Sequence, residues 1–468
     1  MDTINSFITG INNIMYGYLL IIILIVGGLF FSFKTKFLQV RLLKEQIKSV
    51  AEKPKEKGGI SAFQALMVST ASRVGTGNIV GVSTALCLGG YGSVFWMWLI
   101  AIIGAASAFT ESTLAQIYKK RGKDGFFGGP PYYIEKGIGS RAIAIIFSIV
   151  LILTYGVGFN MLASYNLQSC FASYNFYNKS QTPLLIGAIV AVLVGYCLLG
   201  GGKRIAKITS VIVPVMGAAY ILVALGIVAF NIKLLPDVFS KIFADAFDFK
   251  AIFGGFSGSC IMYGIKRGLF SNEAGVGSAP NASATADVAH PVRQGLVQVL
   301  SVFLDTILVC SATAFMCLFS GVEPTKALSG TPYVQEAMRN SLGDFGPIFI
   351  TVAMIFFAFT TIVGNLYYVD QCIFYILKKE PSKMVKNIYY VIASLVVLIG
   401  AVLSADLLWN FADMTMGIMA IINMPVLFVL CKYSNKALKD YEKQIKEGKV
   451  PVFEPSKTDY QFEDDVWG

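Results

Sequence analysis

The sequence predicts an all-α polytopic membrane protein with about eleven transmembrane helices, and three observations carry that expectation. The chain is 55% hydrophobic and 14% charged over 468 residues, too apolar for a soluble enzyme of that length. Its apolar runs are repeatedly long enough to cross a bilayer, which takes about 20 residues each. Its basic residues collect in alternate loops, so the formal net charge of +10 reports topology and not a nucleic-acid surface.

In chain order the candidate spans are roughly 13–33, 62–90, 92–118, 141–173, 183–199, 205–230, 251–270, 293–319, 345–377, 386–404 and 409–431. The first follows Asp2 with no basic leader or small-residue cleavage site, which predicts a retained helix and not a signal peptide. Basic clusters at 34–57, 119–123, 203–207, 266–267, 378–386 and 432–449 follow odd-numbered spans. The positive-inside rule then puts the N-terminus outside and the C-terminus in the cytoplasm, in a bacterial or archaeal plasma membrane.

The second span contains Ser72-Arg73-Val74-Gly75-Thr76-Gly77-Asn78. Every backbone N–H and C=O needs a partner in hydrocarbon, so a polar, glycine-punctuated stretch at this depth predicts unwound helix facing protein or water. The freed amides of the following half-helix suit a carboxylate, and the freed carbonyls of the preceding half suit a small cation. A tolerated glycine kink is the alternative.

The ten spans after the first divide into two groups of five with opposite orientation, which predicts an inverted repeat. Its halves are 59–232 and 233–432, preceded by an N-terminal helix and basic segment (1–58) and followed by an amphipathic or loose cytoplasmic tail (433–468). Phe253-Gly254-Gly255-Phe256-Ser257-Gly258-Ser259 supplies a break in the first helix of the second half. Arg267 to Pro280 reads as a cytoplasmic stretch, either a gate region or a well-packed loop, and Gly128 to Tyr133 as a surface turn with no chemistry of its own.

Arg73, Glu111 and Asp305 lie within apolar spans, where each must pair or face water. Arg73 is expected to pair with Glu111, while Asp305 serves either the ion path or helix packing. His290 before Pro291 reads as a helix start, and the eight scattered cysteines as small core hydrophobes. No convergent nucleophile and base is evident, so no catalytic residue is assigned.

Val74 to Gly81 (VGTGNIVG), Val94 to Trp98 (VFWMW), Gly128 to Lys136 (GGPPYYIEK), Arg267 to Pro280 (RGLFSNEAGVGSAP) and His290 to Gly295 (HPVRQG) resemble the alanine or glycine:cation symporter family. The resemblance covers nearly the whole chain. It implies the inverted-repeat fold of the sodium-coupled leucine transporter and sodium-driven uptake of a small neutral amino acid (alanine, glycine or glutamine), with proton coupling as the rival. No nucleic acid or obligatory protein partner is implied beyond the lipid bilayer.

By that likeness Thr76 and Gly77 hold the substrate carboxylate with Asn78 close by; helix position adds Asn160, Gly255, Ser257 and Gly258 to the pocket, and Asn365 forms part of its wall. Carbonyls near Ala71 and Val74 with the hydroxyls of Thr360 and Thr361 form a sodium site, the alternative for the hydroxyls being helix-to-helix hydrogen bonds. Three positions depart from the commoner family pattern: Arg73 where an uncharged residue is usual, Ala163 where many relatives carry Gln, and Asn365 where many carry Trp. These departures imply a larger, more polar pocket, as in the branch associated with glutamine. They also leave open that the Arg73 guanidinium replaces a second sodium.

Overall fold

The computed structural model describes residues 2–56, 58–122, 125–248, 259–379, 381–455 and 466–467. Among the described residues the long apolar segments become helices, and a two-stranded hairpin, β1 (Lys120–Gly122) and β2 (Gly125–Phe127), is the one sheet. In order the principal helices are α1 (Thr3–Lys34), α2 (Ala62–Arg73), α3 (Gly77–Gly89), α4 (Ser93–Ile117), α5 (Pro130–Tyr133), α6 (Arg141–Ser173), α7 (Thr182–Leu198) and α8 (Gly201–Phe230). They continue with α9 (Leu235–Ala246), α10 (Cys260–Asn272), α11 (Pro291–Leu318), α12 (Thr331–Leu342), α13 (Phe345–Leu377), α14 (Lys383–Gly400) and α15 (Ala405–Lys446).

Eight of these, α1, α4, α6, α8, α11, α13, α14 and α15, are long and apolar enough to cross a membrane. The expected span 62–90 is divided into α2 and α3, the span near 183–199 is a 17-residue helix, and the span 251–270 is described only from Ser259 onward. Of the expected amphipathic or loose tail, the part to Lys446 is helical, because α15 runs unbroken through Pro425 to that residue. Its charged end packs as helix, with Arg41 reaching Glu442 at 2.7 Å.

Helix starts follow local chemistry. Ser61 and Gln64 form a reciprocal capping box at α2, and Ser140, Ser259 and Ser382 cap α6, α10 and α14. Burial then sorts the helices. The most apolar stretch of α4 is 72% buried, against 28% for α8. Accordingly α4 packs at the centre on α11, α10 and α1, whereas α7, α8 and α14 turn residues such as Val192, Leu222 and Val391 outward, a lipid-compatible face.

His290 caps α11. Its Nδ1 accepts the Val292 N–H at 3.2 Å and its Nε2 lies 3.2 Å from Asp440 Oδ2, an arrangement that suits a neutral ring protonated on Nε2. Burial lowers the pKa of this imidazole, with Asp440 opposing. The unfolded chain therefore binds a proton near pH 6.5 that the folded chain does not, and stability is lost as pH falls through that value. Thermal unfolding in detergent should move to lower temperature between about pH 7 and about pH 5.5, and His290→Asn, which keeps a capping acceptor, should flatten that dependence.

Candidate functional site at two facing helix breaks

The last residues of α2 and the first of α3 show how the first break is built. In a continuous helix the Gly75 amide would serve the Ala71 carbonyl. Instead it donates to Asn78 Oδ1 at 2.8 Å, and the Ala71 carbonyl accepts the Thr361 hydroxyl from α13 at 3.2 Å. The same close approach needs glycine at 75, since a Cβ there would stand 1.8 Å from Thr361 Oγ1. The Ala71 carbonyl and the Thr361 hydroxyl thus meet at one point, while Thr360 turns back onto its own helix, donating to Phe356 O at 2.8 Å. Only one hydroxyl of the expected pair reaches the break.

Asn78 is more deeply engaged than its expected place beside the substrate implies. Its amide nitrogen donates to Asp305 Oδ1 at 2.7 Å, and Asp305 also accepts from Thr306 at 2.8 Å and from Ser271. Asn78 and Asp305 both sit in π-type turns, Gly77–Gly81 and Phe303–Cys310, where one extra residue per turn redirects side chains. The Asp305 carboxylate thus anchors the asparagine that shapes the break. Thr76 Oγ1 accepts from Asn166 Nδ2 at 3.1 Å, and the Phe270 ring packs on Gly77.

The partner of Arg73 is not Glu111. Its Nε lies 3.9 Å from Glu273 Oε2 and its Nη1 donates to Gln298 Oε1 at 3.0 Å, all fully or almost fully buried. Glu111 accepts from Asn423 at 3.0 Å and from the Gly275 amide at 3.4 Å. The described part of the second helical element breaks at Glu273 to Ser278, where Glu273, Gly275 and Gly277 have φ of 55°, 83° and 88°. So Arg267–Pro280 comprises the end of α10 and a buried break facing the first, packed as the gate-or-packed-loop reading required. The expected break at Phe253 to Ser257, with the candidate residues Gly255, Ser257 and Gly258, lies outside the described residues, and Ser259 beside it caps α10.

Lys266 and Arg267 also leave the set of basic loops. Lys266 Nζ lies 2.8 Å from Asp413 Oδ2, and Arg267 forks onto both Asp413 oxygens at 3.3 and 3.1 Å while stacking over Trp409 at 4.1 Å. Asp413 is in the first turns of α15 and Lys432 nineteen residues further along it, so at about 1.5 Å per residue the two basic groups lie far apart along this helix. Between Asp413 and the breaks, Phe159, Phe270 and Trp409 stack with centroids 4.5 and 4.9 Å apart.

On the other side of the first break a polar chain crosses three helices. Ser72 Oγ donates to Asn365 Oδ1 at 2.6 Å, and Asn365 Nδ2 donates to Asn160 Oδ1 at 2.9 Å. Asn160 Nδ2 is buried with no partner among the described residues, and Ala163 is buried one turn further along α6. A cavity of 760 Å³ opens at the end of the molecule that carries Lys136, Lys203 and Lys379, with Tyr367 and Gln371 on α13 among its walls. Glu273, Ser72 and Asn423 were not picked out from the sequence. The available signal was a repeated Gly-x-Gly, Gly75-Thr76-Gly77 and Gly275-Val276-Gly277.

The model of the sodium:alanine symporter family matches residues 1–455. The chain belongs to that family. It is 43% identical over 457 residues to the probable sodium/glutamine symporter GlnT of Bacillus subtilis, covering 97% of this chain and 94% of that one. It is likewise 43% identical to the amino-acid carrier protein AlsT of the same organism (96% and 94% covered), and 36% identical to the sodium/alanine symporter AgcS of Methanococcus maripaludis (91% and 94%). Among solved structures the crystal structure of MhsT in complex with L-phenylalanine matches with a TM-score of 0.53 at 14% identity, covering 82% of this chain and 90% of that one. That likeness is one of fold: an all-α polytopic membrane protein of the leucine-transporter type, as the residues led one to expect. Sodium-coupled amino-acid symport is the activity of this family's members, and sodium is its co-transported ion.

Proposed function

We infer that the chain imports a small neutral amino acid together with sodium, binding both at the first break and alternating access by rocking one helix group against the other. The observation that supports this best is the exchange of partners at Gly75: Asn78 takes its amide, and the released Ala71 carbonyl stands beside the Thr361 hydroxyl. A hard monovalent cation takes such neutral oxygens, with the Val74 carbonyl as a further ligand. The amides of Thr76 and Gly77 at the start of α3 would take the substrate carboxylate. Asn160 Nδ2, an unsatisfied donor, would take the side-chain carbonyl of glutamine, which Ala163 leaves room for.

The two halves 59–232 and 233–432 would be the inverted repeats, each with a broken helix. An N-terminus outside and a C-terminus inside fits the gathering of Lys120, Lys136, Lys203, Lys378, Lys379 and Lys386 around one cavity at one face. With one sodium per neutral substrate, a potential of about 100 mV contributes roughly 2.3 kcal/mol, about fifty-fold in accumulation.

The test is uptake of labelled glutamine and alanine into proteoliposomes under an inward sodium gradient, then with choline at fixed pH. Uptake should require sodium, and uptake that persists in choline but follows pH would replace it with the proton mechanism. Asn160→Leu should raise the glutamine KM roughly ten-fold while moving the alanine KM less than about two-fold. Equal effects on both substrates would remove the side-chain role.

A further inference from the structure

The Gly128–Tyr133 turn, left without a role by the symport reading, packs along the second break. Tyr133 OH donates to Asn423 Oδ1 at 2.6 Å, and Asn423 Nδ2 donates to the Gly275 carbonyl at 3.0 Å and to Glu111 Oε2 at 3.0 Å. Glu111 closes the ring by accepting the Gly275 amide at 3.4 Å, so both backbone groups of Gly275 are held by side chains tied to Tyr133. All three of these side chains are fully buried.

The other end of the turn touches the break again. Gly129 lies so close to Asn281 that a Cβ would stand 2.3 Å from its Oδ1, and Asn281 Nδ2 donates to the carbonyls of Gly277 and Ser278 at 3.2 and 2.8 Å. The neighbour of Tyr133 faces the opposite way. Tyr132 is a wall of the 760 Å³ cavity, edge-on to Tyr375 at 5.0 Å and to Phe127 of the hairpin at 5.6 Å.

We propose that Tyr133, acting through Asn423 and Glu111, is a positioning residue that couples the second helix break to the opening of the cavity. Consecutive residues of a rigid Pro-Pro turn contact the two regions, so a shift of Gly275, two residues from the Glu273 that pairs with Arg73, moves the cavity wall. The inference rests on the symport reading for the claim that occupancy of the first break shifts this network.

The test uses the eight native cysteines, all buried, as a quiet background for a Gln371→Cys reporter in the cavity. Binding of labelled amino acid is measured on the same protein. Sodium plus amino acid should change the rate of maleimide labelling at position 371, and Tyr133→Phe should reduce that change roughly ten-fold while labelled amino acid still binds. Transport losses from Tyr133→Phe and Glu111→Gln should be non-additive, the double variant being no worse than the poorer single one. Asn423→Ser gives the same reading should Tyr133→Phe fail to fold. A full labelling response in Tyr133→Phe, or additive losses, overturns the coupling. Absence of binding in the parent protein sinks the symport reading itself, and this inference with it.

Discussion

Gly75→Ala is expected to give a protein that inserts and purifies normally and transports at about one hundredth of the parent rate. The new methyl would lie 1.8 Å from Thr361 Oγ1 and 3.0 Å from Thr361 Cβ. Thr361 is β-branched and sits mid-helix on α13, with little rotamer freedom to yield. Either it rotates and abandons the Ala71 carbonyl, or α2 moves away from α13, and both outcomes separate the two oxygens offered to sodium. Overpacking of this kind costs about 1–3 kcal/mol, and losing that at the site reaches roughly a hundred-fold in occupancy. Initial rates of sodium-driven uptake, normalised to reconstituted protein, decide the matter. A rate near that of the parent would show that Gly75 and Thr361 part company during transport.

Arg73→Met should be the most destabilising single change in the site. It removes the only cation within reach of Glu273 among the described residues and leaves a buried carboxylate with the Ser278 hydroxyl donating to it at 2.6 Å. Breaking one side of a buried pair costs about 3–5 kcal/mol, because the remaining charge stays desolvated and uncompensated. The double variant Arg73→Met/Glu273→Gln should recover most of that loss, since Glu273 no longer carries an uncompensated charge. Thermal unfolding of the four proteins in one detergent measures it. A double variant as unstable as Arg73→Met alone would mean that Gln298, the other partner of the guanidinium, carries the effect. Lysine is not expected to substitute, as its single ammonium cannot reach Gln298 and Glu273 together.

The break at Glu273 to Ser278 was not legible in the sequence for a physical reason. Glycines at 254, 255 and 258 and glycines at 268, 275 and 277 are equally dense, and density alone does not tell where a helix unwinds. Gly275 and Gly277 take positive φ, and the backbone groups of Gly275 are met by Glu111 and Asn423, side chains from α4 and α15 over 140 residues away on either side. The pairing of Arg73 with Glu111 failed for a similar reason. Adjacent spans are the natural first choice, but the facing break brought a carboxylate 200 positions away to the guanidinium. Lys266 and Arg267 read as a basic loop because they sit near the end of the expected span, whereas α10 runs on to Asn272 and packs both against Asp413.

The sequence by itself determined the solvent and the class of this protein. Long apolar runs demand a bilayer, and a polar Ser-Arg-Val-Gly-Thr-Gly-Asn stretch inside one of them demands partners for its backbone, which is enough to locate the first break to the residue. These are local consequences of composition and hydrogen-bond demand. Only the tertiary structure decided which groups meet those demands: Asn78 anchored by Asp305, Thr361 rather than Thr360 at the Ala71 carbonyl, Glu273 opposite Arg73, and Tyr133 reaching Gly275 through Asn423. Each is a contact between helices far apart in the chain, and a donor's need for an acceptor does not say which of many buried acceptors packing will bring to it.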